Sequence, residues 1–402
     1  MSFDVVVIGA GIVGASTAWE LRKRGAAVCL LDRGDVSRGT TGLGEGNVLC
    51  ADKDAGPELD LAVAGRALYD EIEAEVGAPA RIRRKGALVV HPDERTWNAE
   101  PARVERLRAA GVEAVLVDPA EARDLEPRLT GPMLGAAFVP GDLQCDPRAI
   151  TVALAARVAE LRTHVAVERI LVGNSVGQGV DPLSVERGAD AAVDARVTGV
   201  LLGDGSSLLT DAVVIAAGPW SAPLAATAGV HLPLEPRKGQ LVRLRLERPD
   251  PQFLRRKVVD ASYLLAVASA DEALQTSTVV ETTADGHVLV GSSRQRVGFD
   301  ETVDAAVTDE LKAKAARLVP ELAGLEPDDA WVGFRPWLPD HLPAIGPTAV
   351  AGLFVATGHE GAGVGQGPIS GRLLAQAMCG EPTDLELAPF DPRRFTSAVP
   401  AR

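Results

Sequence analysis

The stretch VVVIGAGIVGASTAWELRKRGAAVCLLDRG, Val5 to Gly34, decides the fold. It begins with four apolar residues, Val5 to Ile8, as in a strand buried on both faces. Gly9, Gly11 and Gly14 follow in the spacing G-x-G-x-x-G. A helix is predicted from about Val13 to Arg24, ended by Gly25, and Val28 to Leu31 reads as a second parallel strand. Gly9 permits the tight turn, Gly11 the close approach of a pyrophosphate, and Gly14 the packing of helix on strand. The helix start, with Ile12 and Val13, offers free N–H groups and about half a positive charge. Asp32 lies 18 residues beyond Gly14, at the end of the second strand, where a carboxylate accepts ribose hydroxyls; Arg33 follows it. Between two apolar strands and with its acid in place, the motif reads as a dinucleotide site.

The chain has 402 residues, enough for two lobes. Its 46% hydrophobic and 24% charged residues are those of an ordinary globular protein. No apolar run is long enough for a membrane span, and Met1 leads almost directly into the first strand, so the cytoplasm is the expected compartment. A net charge of −14 repels a nucleic-acid backbone. The short basic clusters Arg81 to Lys85 and Arg255 to Lys257 read as solvated faces. The cysteines, Cys29, Cys50, Cys145 and Cys379, form no C-x-x-C pair, and no two histidines stand as H-x-x-x-H, so no metal site is expected.

Further along, helices are predicted from about Glu58 to Val76, Glu100 to Ala110, Pro147 to Leu161, Thr308 to Val319 and Pro368 to Met378. Strands are predicted at Gly86 to Val90, Val165 to Val172, Thr198 to Leu202, about 211–217, and Leu353 to Ala356. Gly173 to Ala195, rich in Gly, Asp and Ser, reads as an exposed hairpin excursion. Leu241 to Glu247 alternates apolar with charged residues, which suggests antiparallel sheet with one face in water, and Val288 to Val290 reads likewise.

Three more stretches accompany the opening motif: SRGTTGLGEGNVL (Ser37 to Leu49), AVVIAAGPWS (Ala212 to Ser221) and FVATGHEGAGVGQGP (Phe354 to Pro368). Together they resemble the FAD-dependent amine and amino-acid oxidoreductases of the D-amino acid oxidase, glycine oxidase and sarcosine oxidase family. The resemblance implies an α/β fold: a Rossmann-like FAD-binding domain with a mostly parallel sheet, and an inserted antiparallel-sheet α+β substrate domain. The expected division is 1–80, 145–230 and 326–402 for FAD, and 81–144 and 231–325 for substrate. The flavin is expected at the domain interface. Thr40, Thr41, Gly44, Gly46 and Asn47 would meet the pyrophosphate and flavin edge, or form a plain surface loop. Ala217 and Gly218 are small where a strand passes the dinucleotide; Trp220 reads equally as cofactor neighbour or core, and Ile170 joins the cofactor set. Gly358, His359, Gly361, Ala362 and Gly363 would cradle the flavin at a helix N-terminus, which favours negative charge on the reduced ring. His359 reads as a catalytic group or as a packing neighbour.

WVGFRPWLPDHLPAIGP, Trp331 to Pro347, matches the family's G-x-R-P stretch, whose arginine grips the substrate carboxylate; here it is Arg335. A guanidinium suits a carboxylate two-pronged, and the alternative is a structural ion pair. Tyr263 would line the pocket or pack as an ordinary aromatic, and His287 lies on a strand over the flavin or in solvent. No cysteine lies between Cys145 and Cys379, so FAD is expected to be held non-covalently. The resemblance implies hydride transfer from a small amine or amino-acid substrate to flavin N5, giving an imine. It is nearest to the FAD-carrying β subunits of opine and hydroxyproline dehydrogenases, which work beside a second flavin or iron–sulfur subunit. Leu289 falls near the lysine that sarcosine-type oxidases set over the flavin, which favours a dehydrogenase over an oxidase. A non-catalytic electron-transfer subunit and a flavin monooxygenase are the competing readings; the latter lacks its usual GDAAH-like stretch here.

Overall fold

The computed structural model describes residues 3–173, 195–267, 269 and 271–398. The excursion expected at Gly173 to Ala195 falls almost wholly outside them. The chain divides into two compact units, 1–42, 147–236 and 335–402 against 43–146 and 237–334. Residues 43–80, expected with the nucleotide domain, therefore cluster with the second unit.

In the first unit a six-stranded sheet runs in the order Ala344–Pro347, Leu353–Thr357, Val213–Ile215, Val5–Ile8, Val28–Leu31, Glu160–Arg162. All its pairings are parallel except the first. Val5–Ile8, Val28–Leu31 and Val213–Ile215 are buried along their whole length, which is why they read as unbroken apolar runs. Helix Ile12–Lys23 follows the opening strand and packs on helices Pro147–Ala155 and Gly363–Met378.

Two sequence expectations are corrected here. The helix opened by Pro147 ends at Ala155, and Glu160–Arg162 is a strand beside Val28–Leu31; pairing Leu161 with Leu30 overrides the helical pattern. The last helix begins at Gly363, not Pro368, so the proline lies inside it. The glycines that look like helix breakers are the contact surface: a Cβ on Gly371 would lie 2.6 Å from the Thr17 nitrogen, and one on Gly367 3.2 Å from Ile12 and Val13.

The second unit is built on an eight-stranded sheet, Pro327–Trp337, Glu235–Leu244, Val288–Arg294, Gln275–Thr282, Lys257–Asp260, Ala87–His91, Gly135–Val139, Val115–Val117. The Lys257–Asp260 to Ala87–His91 pairing is parallel; those flanking it are antiparallel. One of the two expected half-wet strands is corrected: Val288–Arg294 is buried throughout. Along Leu241 to Glu247, Val242 and Leu244 are buried, Arg243 is half-buried, and Arg245 and Glu247 are exposed, as expected. Both faces of the sheet are covered. Leu88, Val90, Val242 and Val290 lie in one apolar cluster with Leu311 and Leu318 of helix Ala305–Leu318. Ala87, Val89, Val259 and Val279 lie in another, with Leu59, Val104 and Leu107.

Candidate functional site

Most of the residues expected at the cofactor in the first unit gather at the carboxyl ends of its parallel strands, where open α/β sheets bind ligands; Ile170, in the separate antiparallel sheet, does not. Gly9 has φ +107°, and a Cβ there would sit 2.4 Å from the Ala216 oxygen. A Cβ on Gly14 would lie 1.8 Å from the Gly9 oxygen. These two glycines are fixed by packing within the protein. Gly11 differs: only the Thr41 Oγ1, at 3.2 Å, lies near its Cβ position. The Thr41 hydroxyl also accepts from the Ile12 N–H at 3.1 Å, so it stands at the helix N-terminus. Val13, the second residue of the same helix, packs against Gly367.

Asp32 closes the second strand. Its two carboxylate oxygens accept from the N–H groups of Ala10 (2.7 Å) and Gly34 (2.8 Å), which ties the glycine loop to the strand end. The exposed Arg33 lays its guanidinium 4.2 Å from the ring centre of Trp220, which is half-buried and so not core. Gly218, at φ +54°, lies near Thr40, and its carbonyl accepts from the Thr357 hydroxyl at 3.0 Å. Ala217 is half-buried just before it. Ile170 is a core residue beside Val200, and its N–H is taken by the Thr227 hydroxyl at 3.0 Å.

The end of strand Leu353–Thr357 leads through Gly358 and His359 into the last helix. Gly358 has φ +87° and would strike Leu338 if it bore a Cβ. Ala362 caps the helix without any side-chain bond. Around Gly361 and Gly363 the nearest atoms to a Cβ are Arg335 and His359, each at 3.6 Å. Arg335 is half-buried and reaches over Gly361. Glu360, at φ +44°, bonds His341 Nδ1 at 2.7 Å.

His359 is buried, and burial pushes its pKa down to about 3. Its Nε2 lies 2.8 Å from the Ser370 hydroxyl, which itself donates to the Gln366 carbonyl. Nε2 therefore carries the hydrogen, and the ring is neutral.

In the second unit, Gly46 (φ +81°) and Asn47 lead into the short pair Asn47–Val48 with Leu143–Gln144, and Gly44 precedes them. Asn47 donates to Glu45 at 2.7 Å. Glu45 Oε1 and Asn47 Oδ1 are buried with no hydrogen-bond partner. Tyr263 is half-buried at the fringe of an apolar cluster, under the guanidinium of Arg294. His287 is partly exposed, 3.9 Å from Asp285.

The basic clusters read as solvated faces are corrected at Lys85 and Lys257, which are buried. Lys257 meets Glu45 at 3.1 Å and Glu281 at 3.6 Å, and Lys85 meets Glu281 at 2.8 Å. Burial works against the charge on both lysines. For Lys257 the two glutamates overcome it and raise the pKa. Lys85, which shares one glutamate and faces Arg83 and Lys257, falls to about 8. Sequence reading missed this cluster, because the acids that bury the lysines are remote in the chain. Among the described residues, no group of three His, Cys, Asp or Glu could hold a metal, and no helix is long and apolar enough to cross a membrane.

FAD fits the first unit's residues. The opening around Gly11, the uncapped start of the last helix, and the buried unpartnered Ser37 hydroxyl in the loop before Thr40 are features that a polar, anionic ligand would complete.

Comparison with known proteins agrees. The family described as FAD dependent oxidoreductase matches residues 4–377. A glycine oxidase from Pseudomonas aeruginosa is 31% identical, with 98% of this chain and 99% of the relative covered. A D-amino acid dehydrogenase from Xanthobacter autotrophicus is 27% identical, covering 98% of this chain and 100% of the relative. The crystal structure of glycine oxidase from Geobacillus kaustophilus superposes with a TM-score of 0.80 at 27% identity, over 98% of this chain and 99% of that one. With a family match over nearly the whole length and a solved glycine oxidase sharing its fold, the chain belongs to the DAO family of FAD-dependent oxidoreductases.

Proposed function

We propose that the protein oxidises the C–N bond of a small amino acid or secondary amine acid to an imine, which water then hydrolyses. The observation that carries this reading is the half-buried Arg335 guanidinium over Gly361, beside the start of the last helix. A planar guanidinium there would grip a carboxylate two-pronged and fix the orientation of the substrate Cα–H. The glycine oxidase and D-amino acid dehydrogenase relatives support the substrate class.

Gly9, Gly11, Ile12, Val13, Gly14, Asp32, Thr40, Thr41, Ala217, Gly218 and the Gly358–Gly363 stretch would hold the cofactor, with Arg33 and Trp220 at its edge. When bound, FAD supplies an acceptor for a hydride and its two electrons. The protein's own groups position and polarise. The last helix start favours negative charge near it. His359, held neutral with its Nε2 hydrogen committed to Ser370, adds no cation to repel a protonated amine and takes no proton at Nε2. Among the described residues set around the last helix start, His359 is held neutral and no other group is assigned as a base, so the neutral amine would be selected by pH. Leu289, apolar and buried, supports a dehydrogenase rather than an oxidase.

Anaerobic mixing of the purified flavoprotein with D-amino acids, N-alkyl amino acids, imino acids and opines tests the proposal. One class should bleach the flavin band, and Arg335→Met should lower that rate constant per substrate concentration about 10²- to 10³-fold. Bleaching by no amine would sink it and favour an electron-transfer subunit. Rapid peroxide formation in air would overturn the dehydrogenase assignment.

A further inference from the structure

Arg294 is a buried guanidinium that no described residue matches with a counter-charge. It is 3% exposed, at the end of strand Val288–Arg294 in the second unit. Its Nη1 donates to the Ser277 hydroxyl at 2.8 Å, and its carbon lies 4.4 Å from the ring centre of Tyr263. Among the described residues no carboxylate pairs with it.

Its neighbours make the contrast. Lys53 is equally buried, but Asp52 and Glu58 hold it at 3.3 and 3.1 Å. Lys257 has Glu45 and Glu281, and Lys238 has Asp300 at 2.6 Å. The Tyr263 phenol lies in the field of both Lys53 and Lys257. Those lysines are matched by acids, so among the described residues Arg294 is the uncompensated charge beside Tyr263. The fold also shapes its seat. The pairing of Gln275–Thr282 with Val288–Arg294 slips between Thr276 and Val279, and Ser277 lies in that irregular stretch.

Burying an unpaired cation is costly unless an anion joins it. Stacking on an aromatic face leaves a guanidinium's edge as its hydrogen-bonding side, and that edge matches a carboxylate. We infer that Arg294, stacked on Tyr263, is a carboxylate-binding site in the second unit. It goes beyond the role proposed for Arg335 and does not depend on it. The carboxylate comes from the amine substrate or from a separate, unoxidised acid.

The test uses the holoprotein and two unoxidisable probes, sodium acetate and sodium succinate, against sodium chloride of equal ionic strength. Carboxylate should raise the melting temperature of the wild type and of Arg335→Met with increasing concentration. In Arg294→Met the apparent affinity should fall about 10- to 100-fold, and Arg294→Lys should recover only part of it. Without carboxylate, Arg294→Met should melt no lower than wild type, because an unpaired charge is gone. An equal carboxylate response in Arg294→Met and wild type would overturn the inference. So would a lower melting point of Arg294→Met in chloride, which would mark the guanidinium as structural. Flavin bleaching then separates the sources. A loss of turnover efficiency in Arg294→Met without added acid assigns the site to the substrate. Unchanged turnover with a lost acetate effect assigns it to a separate acid. If no amine bleaches the flavin, the proposed oxidation fails while the melting experiment still decides this site.

Discussion

At the residue scale, the three glycines of the opening motif separate by what a methyl group would meet. Gly14→Ala puts a Cβ 1.8 Å from the Gly9 oxygen, so the helix must move off the strand. It should destabilise the apoprotein by about 2–4 kcal/mol, read as a fall in melting temperature. Gly11→Ala meets only a hydroxyl at 3.2 Å. It should leave the apoprotein close to wild-type stability but weaken FAD retention, read by flavin content after dialysis. His359 gives a second outcome. Its folded pKa is about 3 against an ordinary 6.5, through burial. Below about pH 6.5 the unfolded chain takes up a proton that the folded one refuses, so stability falls as the pH drops from there toward 3. His359→Asn should flatten that acid limb in melting curves, and an unchanged slope would contradict the neutral ring. The places of Gly9, Gly11 and Asp32 in the strand–turn–helix unit were legible because they follow from backbone conformation and local spacing. Arg294, Lys85 and Lys257 were not, because only long-range pairing places them in the interior.

At the element scale, helices Ile12–Lys23 and Gly363–Met378 meet backbone to backbone at Gly371 and Thr17. Gly371→Val should force them apart, lowering both melting temperature and flavin content. The same helices share Glu20, a 1% exposed carboxylate held by Lys23 (2.7 Å), Arg24 (2.6 Å) and Arg372 (3.2 Å). Glu20→Gln removes the carboxylate that these three cations share, although Arg24 keeps Glu381 at 3.0 Å. Those cations are partly exposed, so a loss of about 1–3 kcal/mol is expected by thermal or denaturant unfolding. Sequence reading found both helices but began the second at Pro368, because a run of glycines signals a loop unless a partner helix needs their missing side chains. It also took Val288 to Val290 as half-wet, whereas that strand is buried throughout. The helix that covers it, Ala305–Leu318, enters the same apolar cluster from a later part of the chain.

At the scale of the whole chain, both units are assembled from separated segments. The second unit joins its two segments through the Lys257–Asp260 and Ala87–His91 pairing. A fragment spanning residues 43–146 alone should stay unfolded by circular dichroism, because its sheet lacks those neighbours. The parallel texture of the first unit and the change to antiparallel strands in the middle were legible as sequence patterns. The placement of 43–80 was not, since helix Pro57–Val76 shows the same amphipathic spacing whichever sheet it covers.

The first unit has a consequence for biosynthesis. Its opening helix lies against one that ends at Met378, and Leu353–Thr357 is inserted between Val213–Ile215 and Ala344–Pro347. A ribosome that has reached residue 350 has released the glycine loop but not the strand and helix that complete its surroundings. The newborn chain should therefore stay unligated until the segment ending at Met378 has emerged and packed on the opening helix.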